Sequence, residues 1–189
     1  MEIILPVVII VLLCLFTILF LFSLVIFGVH HKTGGALFVP TPKVLIRQII
    51  GSIDFSRFRD IRELGTGDGR FIAAVEKVYG ATVTGYEINP IAFIITALLL
   101  TNKKSRVLLR DFWAEDLSSA DCIYCYLFPD VMKRLGEKLV KELPEGAWVI
   151  SANFPTPGWR EDRVLHAQNT IFDDPVYVYI IGNHLRNDH

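Results

Sequence analysis

The sequence predicts an α/β fold, a doubly wound and mainly parallel sheet, preceded by one transmembrane helix. Three observations predict it. Strand-like and helix-like patterns alternate through residues 41–185, and such alternation puts helices on both faces of a parallel sheet. A glycine-rich turn, Gly65-Thr66-Gly67-Asp68-Gly69, joins the first strand to the helix after it. Residues 3–27 run without a charge.

The chain has 189 residues, 52% of them hydrophobic, a net charge of -1 and a mean hydropathy of +0.42. The apolar excess is local, because in residues 1–27 only Glu2, Pro6, Thr17 and Ser23 interrupt it. The remainder has an ordinary globular composition, which excludes disorder and a strongly basic nucleic-acid binder. No second long apolar run follows, which excludes a polytopic membrane protein. At ~1.5 Å per residue, residues 3–27 reach ~37 Å as a helix, enough for a hydrocarbon core of ~30 Å. No basic start or small-residue cleavage site marks a removable leader. The expected organisation is a transmembrane anchor at 1–28, a juxtamembrane linker at 29–40 and a domain at 41–185. Lys32, Lys43, Arg47, Arg57, Arg59 and Arg62 follow the span, against Asp54 and Asp60. The positive-inside rule then puts the domain on the cytoplasmic side of a single-pass membrane protein, with the bilayer as a partner.

In chain order, Gly34-Gly35 marks the linker, Thr41 is placed to cap a helix and Pro42 to start it, with Val44, Leu45, Ile49 and Ile50 inward. Residues 60–64 read as a strand. Residues 70–79 read as a helix with Phe71, Ala74, Val75 and Val78 on one face and Gly80 as its stop. Residues 81–88 are β-rich. Residues 90–101 are apolar all round, which predicts a buried helix too short to cross a bilayer. Strands follow at 106–112 and 121–128, an amphipathic helix at 129–143 and a fifth strand at 147–153. Residues 163–172 and 176–181 close the chain as a hairpin around Asp173-Asp174-Pro175. Cys122 and Cys125 lie three apart in one strand and face opposite sides, so they read as core cysteines. The histidines have no ligand-like spacing, so no metal is expected.

The glycine turn carries the chemistry. It lets backbone approach a ligand closely and aims helix-terminal N–H groups at it. Its spacing is G-x-G-x-G, not the G-x-G-x-x-G that suits a pyrophosphate, which disfavours a nicotinamide cofactor. Glu63, two places before Gly65, suits a cofactor bearing an ammonium group. Glu87 ends the second strand, where a carboxylate accepts from both hydroxyls of a ribose. Asp111, near the end of the third, is placed to accept from an adenine amino group, with Phe112 or Trp113 beside it to stack. Three acids at three successive strand ends point to S-adenosylmethionine. Beyond the fourth and fifth strands, where the family resemblance given below implies an acceptor pocket, Tyr126 and Asn153 are candidates to hold an acceptor nitrogen. Phe128 and Phe154 either build an apolar channel or belong to the core. No general base stands out.

The segments ELGTGDGR, GYEINP, RDFWAEDL and ANFPTPGW, with FVPTP ahead of them, resemble class I S-adenosylmethionine-dependent methyltransferases. More narrowly, they resemble the membrane-anchored protein-lysine methyltransferases that act on the adenine nucleotide translocase and the ATP-synthase c subunit, with their prokaryotic relatives. The resemblance implies a seven-stranded sheet of order 3-2-1-4-5-7-6 with strand seven antiparallel. It implies a lid formed by Pro40 and Thr41 and a cofactor site built from Thr41, Glu63, Gly65, Thr66, Gly67, Gly69, Glu87, Asn89, Asp111 and Phe112. It places Tyr126, Asn153 and Phe154 at the reaction. The expected activity is methyl transfer to a lysine of a membrane protein. A lipid or small-molecule acceptor, or a non-catalytic module that binds S-adenosylmethionine, are the alternatives.

Overall fold

A computed structural model describes residues 4–33, 39–100, 103–166 and 174–184, without the side chains of residues 4, 5, 22 and 24–33. The chain divides into two compact units, Met1–Leu37 and Phe38–His189.

The first unit holds α1, Ile4–Thr33. Among the described residues no helix is long and apolar enough to cross a membrane. This corrects the expected transmembrane anchor, and with it the single-pass topology, the cytoplasmic placement, the bilayer as partner and the membrane-protein acceptor argued from them.

The second unit is built on seven strands in the order β3-β2-β1-β4-β5-β7-β6. They are β1 Ile61–Leu64, β2 Val83–Glu87, β3 Arg106–Leu109, β4 Cys122–Cys125, β5 Trp148–Ala152, β6 Arg163–Leu165 and β7 Val176–Ile180. β1 to β5 are mutually parallel, while β7 runs antiparallel between β5 and β6. The order and the reversed strand agree with the expectation. The helices are α2 Lys43–Ser52, α3 Arg70–Tyr79, α4 Pro90–Leu99 and α5 Pro129–Glu142.

The two faces of the sheet carry separate cores. Ile49, Phe55, Phe71, Val75, Cys122, Tyr124 and Ile150 pack on the face covered by α2 and α3. Leu64, Tyr86, Ile123, Cys125, Met132, Leu135 and Tyr179 pack on the face covered by α5. β4 and β5 are buried along their whole length, as parallel strands covered on both sides must be. Cys122 and Cys125 fall in opposite cores and are free thiols, following the two-residue period of a strand.

Three local expectations are corrected. α4 is not a buried helix: Ile94 is 55% and Leu98 70% exposed, and only Ala92 and Thr96 are buried along it. It lies beside β2 and the edge strand β3, where one narrow stripe suffices to cover the sheet and nothing described packs outside it. Thr41 does not cap α2. Pro42 is the cap, without a side-chain hydrogen bond, because the Thr41 hydroxyl is buried 3.2 Å from the Tyr124 hydroxyl. β3 stops at Leu109 because Asp111 caps a short 3₁₀ turn, Phe112–Ala114, with its Oδ1 accepting from Trp113 N–H at 3.0 Å. The linker at Gly34-Gly35, most of residues 163–172 beyond His166, and Asp173 at the hairpin tip lie outside the described residues.

Candidate active site

The carboxyl ends of β1, β2, β4 and β5 share one edge of the sheet, and the predicted site residues follow them. After β1 the chain must turn into α3 within five residues. Gly65, Gly67 and Gly69 take φ of 75°, 60° and 76°, a left-handed region that side chains disfavour. At Gly69 space forbids a side chain as well, since an added Cβ would lie 2.6 Å from Thr96 Cγ2. Thr96, fully buried on α4, donates its hydroxyl to the Gly67 carbonyl at 2.7 Å. The N–H groups of Gly65 and Thr66 both donate to the Tyr86 carbonyl at 3.0 Å. The turn is thus pinned between β2 and α4.

Glu87 ties this turn to the next strand end. Its Oε2 accepts from Gly67 N–H and its Oε1 from Asn89 N–H, each at 2.7 Å. Burial raises its pKa, opposed by backbone hydrogen bonds from Asn89, Gly67 and Ile88. Asn89 caps α4, its Oδ1 accepting from Ile91 N–H at 2.9 Å. Arg110 N–H donates to the Glu87 carbonyl at 3.0 Å, which brings Asp111 and Phe112 past the end of β3 next to β2. Asp111 itself is exposed, and the Phe112 and Trp113 ring centroids lie 4.8 Å apart.

Glu63 is only 3% exposed, and its Oε2 has no hydrogen-bond partner. Burial first, then the neighbouring carboxylates of Glu87 and Asp68, hold its pKa well above the usual range. A buried acceptor left without a donor is costly, by about 1–3 kcal/mol, and it marks a place where a donor belongs. Glu63 pairs in register with Tyr124 on β4, whose ring stacks on Phe71 with centroids 3.8 Å apart and an 18° interplanar angle. Tyr124 and Thr96 are functional-site neighbours that motif reading missed. The available signal for Tyr124 was its two-residue offset from Tyr126, which puts both on one face of the strand path.

On the acceptor side, Asn153 has φ 67° and is the single non-glycine residue among those described with positive φ. Phe154 N–H closes back on the Ala152 carbonyl at 2.9 Å, the i to i+2 bond of a γ-turn, a strained form for any side chain. Two bonds hold it: Asn153 N–H to the Pro175 carbonyl at 2.7 Å, and Ser151 Oγ to the Phe154 carbonyl at 2.6 Å. As a result Phe154 lies parallel to Tyr126, centroids 6.4 Å apart at 14°. The Tyr126 hydroxyl has its pKa raised, by burial first and then by Asp174, with the Asn153 side chain acting in the opposite direction. Tyr126, Asn153 and Phe154 are therefore one cluster. Phe128 is not part of it; it caps α5 and is 38% exposed. Among the described residues no group of three or more His, Cys, Asp or Glu could hold a metal ion.

A 3-2-1-4-5-7-6 sheet with a G-x-G-x-G turn after its first strand and an acid ending its second is the frame of an S-adenosylmethionine-dependent methyltransferase. Known proteins agree. The ANTKMT methyltransferase domain family matches residues 63–163. A protein-lysine N-methyltransferase of Saccharolobus islandicus (strain REY15A) is 31% identical over 153 residues, covering 78% of this chain and 94% of that relative. The adenine nucleotide translocase lysine N-methyltransferase of Mus musculus is 31% identical over 133 residues, covering 67% of this chain and 58% of its own length. The crystal structure of an RNA methyltransferase from Salinibacter ruber in complex with S-adenosyl-L-homocysteine superposes with a TM-score of 0.69 at 26% identity, covering 79% of this chain and 98% of that one. The chain belongs to the ANTKMT methyltransferase domain family and is an S-adenosylmethionine-dependent methyltransferase. The residues present fit that cofactor, because the unpartnered Glu63 oxygen asks for a donor beside a turn too tight for side chains.

Proposed function

We propose that this enzyme methylates a lysine amine. The observation that carries the reading is the Tyr126–Asn153–Phe154 cluster, an aromatic pair with a strained amide at its rim on the same sheet edge as Glu63 and Glu87. The named substrates of the lysine methyltransferases to which the chain is similar support it.

Bound S-adenosylmethionine supplies a methyl group on a sulfonium, open to in-line attack by an amine lone pair. The chain's own residues do the rest. Glu63 receives the ammonium end, which pairs its orphaned oxygen. Glu87 accepts from the ribose hydroxyls while Gly67 and Asn89 N–H groups fix its orientation. Asp111 and Phe112 take the adenine end, and Thr41 closes over the site. At the acceptor end, the Tyr126 and Phe154 rings exclude water around the amine, and the Tyr126 hydroxyl and Asn153 carboxamide hold its nitrogen. A free lysine has a pKa of ~10.4, so methyl transfer at neutral pH requires about 4–5 kcal/mol to deprotonate it unless an apolar site lowers that value. An aromatic-walled pocket works in that direction.

The test is transfer of a tritiated methyl group from S-adenosylmethionine into a cell extract, fractionated into protein, lipid and nucleic acid, with hydrolysis of the labelled protein. Label recovered as methyl-lysine supports the reading. Label confined to lipid or nucleic acid would sink it, and so would cofactor binding without any transfer.

A further inference from the structure

The segment before α2 is fastened at two points, both beside the cofactor residues. Arg70 begins α3 directly after the glycine turn. Its Nη1 donates to the Thr41 carbonyl at 2.6 Å. Its Nε donates to both oxygens of Asp68, at 2.8 and 3.0 Å, and its Nη2 pairs with Asp68 Oδ2 as well. A guanidinium is a planar, rigid fork. With one edge clamped by Asp68, the direction of Nη1–H is set, and it points at Thr41.

The second fastening is the Thr41 hydroxyl, 3.2 Å from the Tyr124 hydroxyl and buried with it. Tyr124 cannot swing away, because its ring is stacked on Phe71, the residue after Arg70. The main chain of Thr41 is thus held from the turn after β1 and its side chain from β4. Those two strands carry Glu63 and Tyr124 as register partners. Neither bond is needed to begin α2, whose first turn forms without a side-chain cap.

We propose that Arg70 is a positioning residue for holding the cofactor: aimed by Asp68, it straps residues 39–42 across the cofactor site and couples that strap to the glycine turn. The cofactor enters and leaves only when both fastenings open. Any shift of Asp68 with the turn turns the guanidinium and releases Thr41, so the strap senses the conformation of the loop beneath it. The inference rests on S-adenosylmethionine as cofactor and is independent of the acceptor.

The experiment uses the full chain with Arg70→Met, Arg70→Lys and Asp68→Asn. Dissociation of S-adenosylmethionine and of S-adenosylhomocysteine is followed by stopped-flow displacement, with KM and kcat measured alongside. Losing a charge-assisted bond in Arg70→Met speeds both dissociations about 10-fold and raises the cofactor KM in step, while kcat at saturating cofactor stays within about twofold. Arg70→Lys, which can serve Asp68 or Thr41 but not both, falls between. Asp68→Asn moves in the same direction by less. Hydrogen exchange speeds at the amides of residues 43–46 in Arg70→Met and stays unchanged in β4 and β5. Unchanged dissociation overturns the proposal, and so does a uniform loss of protection through the sheet, which marks a merely structural arginine. If the unsubstituted chain binds the cofactor but labels no lysine, only the acceptor reading fails.

Discussion

The two halves of this site hold their functional groups in place by different means. On the cofactor half, Glu63 is a carboxyl desolvated beside two other acids, with one oxygen unpaired. The backbone there is relaxed, because glycines occupy the left-handed positions. On the acceptor half no acid among the described residues is fully buried. Asn153 instead holds a left-handed conformation, kept by bonds to Pro175 and from Ser151 to Phe154. One half stores its destabilisation as electrostatics and the other as backbone strain. On the proposed reading a bound ammonium would relieve the first, whereas no ligand needs to relieve the second, since strain there serves to aim side chains.

That contrast can be broken at either end. The largest effect belongs to Glu87→Ala, which removes the acceptor for Gly67 and Asn89 N–H together with the proposed ribose contacts. Calorimetry should show S-adenosylmethionine binding weakened about 100-fold, the loss of one or two hydrogen bonds to a charged group. Glu63→Gln comes next and separates stability from binding. Binding weakens about 10-fold as a charge-assisted bond becomes neutral, yet the cofactor-free chain becomes more stable at neutral pH.

The sign follows from proton linkage. The Glu63 carboxyl is raised in the folded chain, so between its ordinary and raised values the unfolded chain has released a proton that the folded chain keeps. Stability from this group is therefore present at low pH and is lost as pH rises through that window. Thermal unfolding from about pH 5 to about pH 8 should show a shallower decline in Glu63→Gln. An unchanged slope would mean that the burial of Glu63 is compensated.

Tyr126→Phe sharpens the other side. It removes the hydroxyl proposed to hold the acceptor nitrogen and keeps the ring that stacks on Phe154. It should lower kcat about 10-fold, the worth of one positioned hydrogen bond, with cofactor affinity unchanged; an equal loss in cofactor affinity would tie the two halves together. The smallest effect is Asn153→Gly. Relief of the left-handed strain should stabilise the chain by about 1 kcal/mol in chemical denaturation, with a fall in kcat comparable to that of Tyr126→Phe. A destabilised variant would show that the Asn153 side chain contributes more than the strain costs.

The cofactor half was the more legible in sequence. Gly65, Gly67 and Gly69 announce a turn because only glycine tolerates those torsions, and Glu63 and Glu87 sit at offsets that any strand-turn-helix fixes. The local role of Thr41 was not legible. A threonine before a proline reads as a cap, but its hydroxyl meets a tyrosine 83 residues further on. The exposed face of α4 was illegible because a run of Ile and Leu looks the same whether or not a second layer covers it. Asp111, which reads as a cofactor acid, also has a local use that spacing does not show, one oxygen accepting from Trp113 N–H. The apolar N-terminus read as an anchor, but among the described residues no helix is long and apolar enough to cross a membrane.

What the amino-acid sequence determined by itself was the strand and helix alternation, the glycine turn and the acids on either side of it, since each depends on torsions and spacings within a few residues. The tertiary structure decided that Glu63 is left unpaired, that Tyr124 stands beside it in register, that Asn153 adopts a strained turn against Pro175, and that Arg70 reaches Thr41. These are contacts between distant segments. They depend on which groups the sheet order brings face to face and on how much water that leaves between them.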